Sequence, residues 1–444
     1  MLTTEEIVAL YEQRRRAQGP LQEQMRRVRD LANGDVIVPL NELDKNAKAS
    51  VANLLVQGLD QMSMRVASTM PSPYFPPVKE GSDRSKSTAK MRKRAMLSIW
   101  DHNRMQMKMR RRARHLLGYS QSAVVLKPDF KTLMPTWTVR NPLDTYPAFT
   151  DDPDNPVPED CIFTYKATAT YLIQNYGDLV LGKLRMGKVD GSTKYTMLEY
   201  VSPECIHLVV LGAEDNPTLN ASERSGIEAL TIEYIPNRTG MPLAVVANRI
   251  TLDKPRGQFD GVMGMYYTRA RLQALTEIAI ERGIFPEEYL IARPGENPEI
   301  MQVANGKQGQ LGIVKGGDIQ QLQLNPGYKT DTALDRLERQ ERLEGAIPAE
   351  FGGESASNIR TGRRGESVLS ATVDFRVQEA QATFEQSLFA EDKIAIAIEK
   401  AYWGNQTKTF YMSSKQTLAW KHISQTKFGK QISTMLHIRR QDQM

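Results

Sequence analysis

The sequence predicts an α+β fold on three observations. Apolar residues recur every three or four positions over much of residues 1–120, which is the period of an amphipathic helix. Short runs rich in β-branched and aromatic residues, separated by turn clusters, fill residues 121–250 and are typical of antiparallel strands. Two further helical stretches with a strand-rich interval between them follow residue 261, so helices and strands are largely segregated along the chain.

Composition narrows the class of protein. The 444 residues are 40% apolar and 25% charged, and a chain of this length suits two to four domains at about 100–200 residues each. No run of 18 apolar residues is present, so we expect no membrane span. Two cysteines cannot form a disulfide framework and no signal-peptide pattern is visible, so we expect synthesis in a reducing cytoplasm.

The charge is unevenly distributed. The net charge is +6, which by itself hints at a polyanionic partner. Residues 1–150 hold 25 Lys and Arg against 14 Asp and Glu, a net charge of +11, and the remainder has a net charge of −5. The basic character therefore belongs to the first third of the chain.

The N-terminal third is predicted to be helical. Thr3 and Glu6 have the spacing of a capping box, so a helix should run to about Arg16 and end at Gly19-Pro20. Residues 44–68 predict a second helix, and residues 84–118 predict a third with Met105, Met109, Ala113 and Leu116 on one face. The prolines of segment 71–77 predict extended backbone between these two helices.

The middle of the chain is predicted to be a largely antiparallel β region. A short helix is expected over Tyr171–Tyr176. The expected strands are Ser122–Lys127, Thr136–Arg140, Cys161–Lys166, Tyr195–Val201, Cys205–Leu211 and Leu230–Ile235.

The C-terminal half begins with a predicted helix over about 262–282. Its inward stripe is expected to be Val262, Met265, Arg269, Leu272, Leu275 and Ala279. Strands are expected at Glu288–Ala292, Gln310–Lys315 and Ile319–Leu324, with Gly316-Gly317 as the hairpin turn between the last two.

A charged helix over about 331–346 is expected next, opened by a capping-box pair, Thr332 and Asp335. The loop 348–365 then leads into the longest predicted helix, 366–403, whose apolar stripe has one gap of seven residues that crosses Glu391. Such a helix would be nearly 60 Å long, at about 1.5 Å per residue. A strand over Lys408–Met412 follows.

No pattern of catalytic, cofactor-binding or metal-binding residues is found. Segment Gly182–Val189 approaches the phosphate-binding P-loop, but Val189 replaces the hydroxyl that should bind Mg²⁺. The five histidines show no metal-site spacing, and no Gly-x-Ser-x-Gly elbow is present. We therefore expect no enzyme activity, no cofactor and no metal.

The basic runs, of which Lys108–Arg114 is the longest, leave two interpretations open. They are a solvated helix face, or a patch that binds a neighbouring subunit or nucleic-acid phosphates. No aromatic residues interleave with them, which argues against stacking on single strands.

The order of these elements resembles the portal protein of long-tailed bacteriophages. Segment Met241–Asn248 is similar to the strand before the family's stem, Phe259–Tyr266 to the Gly-rich start of its first stem helix, and Gly362–Leu369 to the start of its long helix. The resemblance covers nearly the whole chain, although the family carries a longer helical crown at its C-terminus.

The resemblance implies a domain organisation. The wing would comprise 1–258, with 404–415 returning to it, and the last segment, 416–444, would be a reduced crown. The other parts would be a first stem helix 259–283, a clip 284–327, a second stem helix 328–347, a tunnel loop 348–365 and a long tunnel helix 366–403.

The resemblance also implies the partners. The chain would form a ring of twelve copies at one capsid vertex of the virion, through which double-stranded DNA passes during packaging and ejection. Further partners would be the large terminase subunit, a head–tail connector or adaptor, and the major capsid and scaffolding proteins; no membrane is implied.

Three groups of residues would serve these contacts. The stem face toward the channel would comprise Glu338, Arg339, Glu341, Arg342 and Glu344. The clip docking residues would be Glu287, Glu288, Arg293, Lys307, Lys315 and Asp318. The tunnel loop would present Glu350, Phe351, Gly352, Gly353, Glu354, Asn358, Arg360, Gly362, Arg363 and Arg364.

Two alternatives from other classes remain open. A different ring-forming head–tail adaptor would be shorter and would lack the helix–clip–helix order. A DNA-processing enzyme would need a carboxylate or metal cluster, which the sequence patterns do not supply.

Overall fold

Mixed helix and sheet, an α+β fold, make up two units in the computed structural model. The first unit comprises Met1–Arg27, Leu59–Gln258 and Thr361–Met444, and the second comprises Val28–Gly58 and Phe259–Arg360. The structure describes residues 2–38, 40, 50–51, 53–68, 71–150, 152, 154–177, 180, 191–211, 229–251, 254–284, 287–292, 295, 299–302, 313–315, 317–322, 329–344, 375–404, 407–413, 418–424 and 437–439.

Two antiparallel sheets form the centre of the first unit. One sheet has the order β3-β2-β9, from Met134–Arg140, Gln121–Asp129 and Ala244–Asn248. The other has the order β4-β5-β6-β7-β8. Its strands are Thr145–Pro147, Cys161–Thr168, Lys194–Val201, Cys205–Val210 and Leu230–Pro236. The six strands expected between residues 121 and 236 are thereby confirmed. Strand β4 and the pairing of β9 with β2 were not predicted.

Helices cover the five-stranded sheet through apolar contacts. Helix α1, Thr4–Ala17, buries Ile7 and Tyr11 beside Tyr146 of β4. The capping box expected at Thr3 and Glu6 is confirmed, since each side chain accepts a hydrogen bond from the other residue's backbone N–H. Helix α6, Ala169–Tyr176, likewise buries Leu172.

The first helix ends at Ala17, close to the expected Arg16. Gly19 and Pro20 then begin a further helix, α2 (Gly19–Asn33), which was not predicted, because proline fits a first turn in which its missing N–H needs no partner. The start of the next helix was predicted wrongly. Helix α3 is Leu54–Ser68, and it starts later than expected because the Asn53 side chain accepts a hydrogen bond from Val56 N at 3.2 Å. Residues 41–49 lie outside the described residues.

The single helix expected over residues 84–118 is two helices, α4 (Asp83–His102) and α5 (Met105–Tyr119). Arg104 takes a left-handed conformation with φ of 51° and breaks the helical run. The Asn103 side chain fixes this corner, since it donates to Ile99 O and Pro135 O and accepts from Trp137 N. The face of Met105, Met109, Ala113 and Leu116 is buried as expected.

A buried carboxylate links the two sheets of the first unit. Glu199 of β6 is fully buried and forms ion pairs with Lys127 of β2 and Arg140 of β3. The guanidinium of Arg140 also lies over the rings of Phe163 and Tyr165. Because two cations from one sheet share a carboxylate of the other, this cluster fixes how the sheets meet.

The remaining elements of the first unit include the longest helix, α9, Phe375–Trp403. It packs against β2 and β9 and buries Val377, Ala380, Phe384, Leu388, Ala395 and Ile398. Its 29 residues span about 44 Å. Residues 366–374, where we expected the helix to begin, lie outside the described residues. The other strands are β1 (Ser72–Tyr74), β10 (Ile250–Thr251), β11 (Lys254–Pro255), β16 (Thr407–Ser413), β17 (Leu418–Ser424) and β18 (His437–Arg439).

In the second unit, the described residues between Phe259 and Arg360 form two helices and two strand pairs. Helix α7 is Met263–Ile284 and helix α8 is Lys329–Glu344. Between them, β12 (Glu287–Ala292) pairs with β15 (Gly317–Leu322), and β13 (Glu299–Gln302) pairs with β14 (Ile313–Lys315), both antiparallel.

Three expectations for this unit were wrong. Strand β14 pairs with β13 and strand β15 pairs with β12, so β14 and β15 are not the two partners of a hairpin with a turn at Gly316-Gly317. Helix α8 begins at Lys329, so Thr332 lies inside the first turn and is not its N-cap. Leu275 is exposed, and the buried face of α7 runs through Tyr266, Ala270 and Ala274.

No helix in the described ranges is long and apolar enough to cross a membrane.

The division between the two units falls between Gln258 and Phe259, and the segment Val28–Gly58 groups with the second unit. Val38 and Val51 of that segment pack on Ala270 and Ala274 of α7.

Candidate functional site: the helix pair of the second unit

Helices α7 and α8 run side by side in opposite directions. Arg269, in the second turn of α7, contacts Glu338 and Glu341, near the end of α8. At about 1.5 Å per residue the two helices are roughly 33 Å and 24 Å long. The strand pairs β12-β15 and β13-β14 lie between them in the sequence, so the unit is a helical hairpin with a small β insertion.

A row of alternating charges joins the two helices. Arg269 Nε donates to Glu341 Oε1 at 3.1 Å, and its Nη2 lies 2.9 Å from Oε2. Its Nη1 lies 3.6 Å from Glu338 Oε2, and Arg342 Nη2 donates to Glu338 Oε1 at 2.9 Å. Two guanidinium groups and two carboxylates thus balance each other, and the planar fork of Arg269 fixes the relative rotation of the helices.

Burial affects the ionisation of one carboxylate of this row, Glu341. Glu341 is fully buried, and Arg269 is 4% exposed. Burial raises the pKa of Glu341 to about 7, although the Arg269 guanidinium opposes the shift. The ionised pair is therefore present above neutral pH, and protonation of Glu341 below it weakens the contact between the helices.

The exposed surface of α8 differs from the stem face that the sequence predicted. Glu341 cannot face a channel, because its carboxylate is fully buried against α7. Glu338 and Arg342 are half-buried and paired with each other, Arg339 is exposed, and Glu344 is the last residue of the helix. Within residues 330–342, whose exposure the structure describes, the exposed charged residues are Asp331, Asp335, Arg336 and Arg339. This part of the face therefore carries two charges of each sign.

The predicted clip residues fall partly on the strands. Glu287 and Glu288 start β12, opposite Leu322 and Gln321 of β15. Asp318 of β15 lies opposite Ile291, and Lys315 of β14 lies opposite Glu299. Arg293 and Lys307 lie outside the described residues, as do all the predicted tunnel-loop residues: Glu350, Phe351, Gly352, Gly353, Glu354, Asn358, Arg360, Gly362, Arg363 and Arg364.

A shallow groove of about 390 Å³ runs beside α7 within the second unit. Its walls are Val36, Ile37 and Val38 on one side and Tyr267, Thr268, Ala270 and Arg271 on the other. The lining is mostly apolar and supplies no acid–base pair, so the groove suits packing rather than chemistry.

A second ionic cluster holds the long helix in the core of the first unit. Arg112 of α5 and Glu391 of α9 are both fully buried and form a two-point contact, with Nη2–Oε1 at 2.5 Å and Nη1–Oε2 at 3.0 Å. Arg112 also donates to Ser387 Oγ, and Trp137 Nε1 donates to Glu391 Oε2 at 3.0 Å. The cluster therefore binds α9 to α5 and β3 at one point of its length.

Asp392 is the next residue of α9 and has a different environment. Trp100 Nε1 of α4 donates to its Oδ1 at 2.9 Å, while Oδ2 is buried without a hydrogen-bond partner among the described residues. Burial raises the pKa of Asp392 well above its usual range, and the neighbouring Glu391 charge adds to the shift. Burial therefore favours the neutral form of the Asp392 carboxyl, as expected for a buried carboxyl that accepts a single hydrogen bond.

Sequence reasoning missed both ionic clusters, although a signal was present. Arg112 occurs on the apolar face of α5, between Met109 and Leu116, and Glu391 occupies the gap in the apolar stripe of α9. A lone cation and a lone anion, each at an apolar position of a predicted helix, indicate a buried pair. The same reasoning applies to Arg269, which stands within the predicted stripe of α7.

The described residues include histidines, both cysteines and several buried carboxylates. No group of three His, Cys, Asp or Glu side chains among them is arranged to hold a metal ion. Burial lowers the pKa of His115 to about 4, so its imidazole is neutral, and both cysteines are buried.

No family model matches the chain, and no curated protein matches it.

Proposed function

We propose that this chain is the portal subunit of a tailed-phage capsid. The observation that carries the proposal is the antiparallel helix pair α7–α8, which encloses two short strand pairs and is followed by the long helix α9. This order matches the stem–clip–stem and tunnel-helix order of the family that the sequence resembles. In this role the chain is a structural protein without a catalytic site or cofactor.

The helix pair suits the wall of a conduit. DNA carries one negative charge per about 1.7 Å of its axis, so a ring of unpaired cations would hold it strongly. Over residues 330–342 the exposed face of α8 has two aspartates and two arginines, and the row Arg269–Glu341 and Glu338–Arg342 is internally neutral when Glu341 is ionised. A wall of balanced charge lets DNA pass without a deep electrostatic minimum, and it serves both packaging and ejection.

The remaining roles are assigned to segments by the resemblance. The clip strands, with Glu287, Glu288, Lys315 and Asp318, would dock first the large terminase subunit and later a head–tail connector. The tunnel loop 348–365 would project toward the DNA, with Arg360, Arg363 and Arg364 making transient phosphate contacts. The first unit would face the capsid and scaffolding proteins at the portal vertex of the virion.

Assembly tests the proposal most directly. The purified chain should form closed rings with a central hole, about twelve subunits by mass, in negative-stain images and in light scattering. Within the ring, deletion of Gly352–Ser357 should impair packaging or retention of DNA and leave the ring intact. A chain that stays monomeric would contradict the proposed ring. Normal DNA packaging with the shortened loop would contradict the assignment of the tunnel loop.

A nuclease and ATPase assay with divalent cations separates this function from a DNA-processing enzyme. The portal has neither activity alone, since the motor is a separate protein. Turnover by the purified chain that survives removal of contaminating proteins would count against the proposal.

A further inference from the structure

The exposed face of helix α5 is unusually basic. The helix contains five Lys and Arg residues and no Asp or Glu. Arg110, Arg111 and Arg114 lie on one face together with Met107, which is 70% exposed, because their spacing is i, i+3, i+4 and i+7 from Met107. Arg114 pairs with Asp60. In the described part of the chain, no carboxylate lies within salt-bridge distance of Arg110 or Arg111.

The loop between β4 and β5 has the opposite character. Residues 149–160 contain five Asp and Glu and no Lys or Arg. Phe149 is 92% exposed, more than any other large apolar side chain whose burial the structure describes. Asp160 pairs with Arg14 at 2.5 Å, which leaves Asp152, Asp154 and Glu159 exposed. Asp152 Oδ1 accepts a hydrogen bond from Asp154 N at 3.2 Å, so the turn fixes the Asp152 carboxylate against the backbone of Asp154.

We propose that the α5 face of one copy binds the 149–160 loop of a second copy. Each surface has an exposed apolar side chain and exposed charges within a few residues of it, and the charges are of opposite sign. Phe149 would pack on Met107, since thioether sulfur and aromatic rings attract each other, and Arg110 and Arg111 would pair with Asp152 and Asp154. The inference rests on the ring proposed above and names the contact that would join its subunits.

A second copy fits these observations better than DNA. Phosphates would neutralise the arginines but would leave the exposed Met107 without an apolar partner, and they would repel the acidic loop. The two surfaces are different patches of one chain, so the contact is head-to-tail, and each copy offers one of each. Contacts of this kind close into a ring when the rotation between copies permits.

Charge reversal on each side tests the contact. Three proteins are compared with wild type by light scattering over a concentration series: Arg110→Glu with Arg111→Glu, Asp152→Arg with Asp154→Arg, and the four changes combined. Each single-face protein should need about 100-fold more protein for half-assembly, because like charges then meet. The combined protein should assemble as the wild type does, which also shows that the reversed surfaces fold.

A matched control uses the neighbouring helix. Lys90→Glu with Arg94→Glu makes the same change of net charge on exposed positions of α4 and should leave assembly unchanged. Rings that persist in both single-face proteins, or a combined protein that stays dissociated, overturn this contact and leave the ring proposal standing. If the Arg110→Glu, Arg111→Glu protein assembles normally but no longer retains a DNA duplex, the α5 face binds DNA and the proposed subunit contact is wrong. A wild-type chain that is always monomeric overturns both proposals.

Discussion

The buried Arg112–Glu391 pair should be among the most sensitive points of the first unit. Glu391→Leu removes the carboxylate and leaves a fully buried guanidinium without its counter-ion, and Trp137 and Ser387 lose a hydrogen-bond partner as well. Breaking a buried pair by removing one partner costs about 3–5 kcal/mol. We therefore expect Glu391→Leu to lower the free energy of unfolding by this amount.

A double-mutant cycle isolates the pair. Arg112→Met combined with Glu391→Leu removes both charges, so the double variant should be more stable than the sum of the single effects predicts, by at least about 2 kcal/mol. Arg114→Met serves as the control on the same helix, because the Arg114–Asp60 pair is 57% and 49% exposed and should contribute less than about 1 kcal/mol.

Urea unfolding at one fixed protein concentration measures these differences, with tryptophan fluorescence as the signal, since Trp100 and Trp137 contact this region. The m-value should stay constant across the series. Single effects that add within about 0.5 kcal/mol, or a Glu391→Leu protein as stable as Arg114→Met, would refute the reasoning.

Three further predictions follow from the same structure. Asp392→Asn should stabilise the protein more at pH 8 than at pH 4. Because the pKa of Asp392 is raised in the folded state, the wild-type protein loses stability as the pH rises through that pKa, and asparagine does not ionise. Equal effects of the substitution in urea titrations at both pH values would contradict this. Glu199→Leu should cost roughly 3 kcal/mol and exceed Lys127→Met, whose side chain is 32% exposed, in the same assay. Arg104→Gly should stabilise the protein by about 1 kcal/mol and so raise the midpoint of thermal unfolding, because glycine adopts a φ of 51° without strain. An unchanged or lower midpoint would count against backbone strain at Arg104.

The sequence predicted helices and strands correctly where neighbouring residues alone specify them. The capping pair Thr3 and Glu6 and the strands from residue 121 to 236, which are rich in β-branched and aromatic residues, need only neighbouring residues to specify them, and they are found as expected. The break at Arg104 depends on Asn103 bonding to Pro135 and Trp137, which are more than thirty residues away. No periodicity over 84–118 reports such a contact.

Pairing and charge burial were harder to predict for the same reason. Strands β12 and β15 are separated by 24 residues, and glycines at 316 and 317 favour a hairpin locally, yet tertiary pairing overrides that preference. Glu341 was assigned to an exposed face because its helix is charged nearly all round. Only Arg269, 72 positions earlier, explains why this one carboxylate is buried.

The anchor of α9 restricts how this helix can move. A shift of one residue along the axis translates Glu391 by about 1.5 Å and turns it by about 100°, which separates it from Arg112 and brings a neighbouring side chain toward the guanidinium. Sliding or rotation of α9 about its axis would therefore leave the charges of Arg112 and Glu391 buried in an apolar core without their partners. Changes in the segment that precedes Phe375 can reach the core only through rigid displacement of the whole helix with α5, or through unwinding of its first turns.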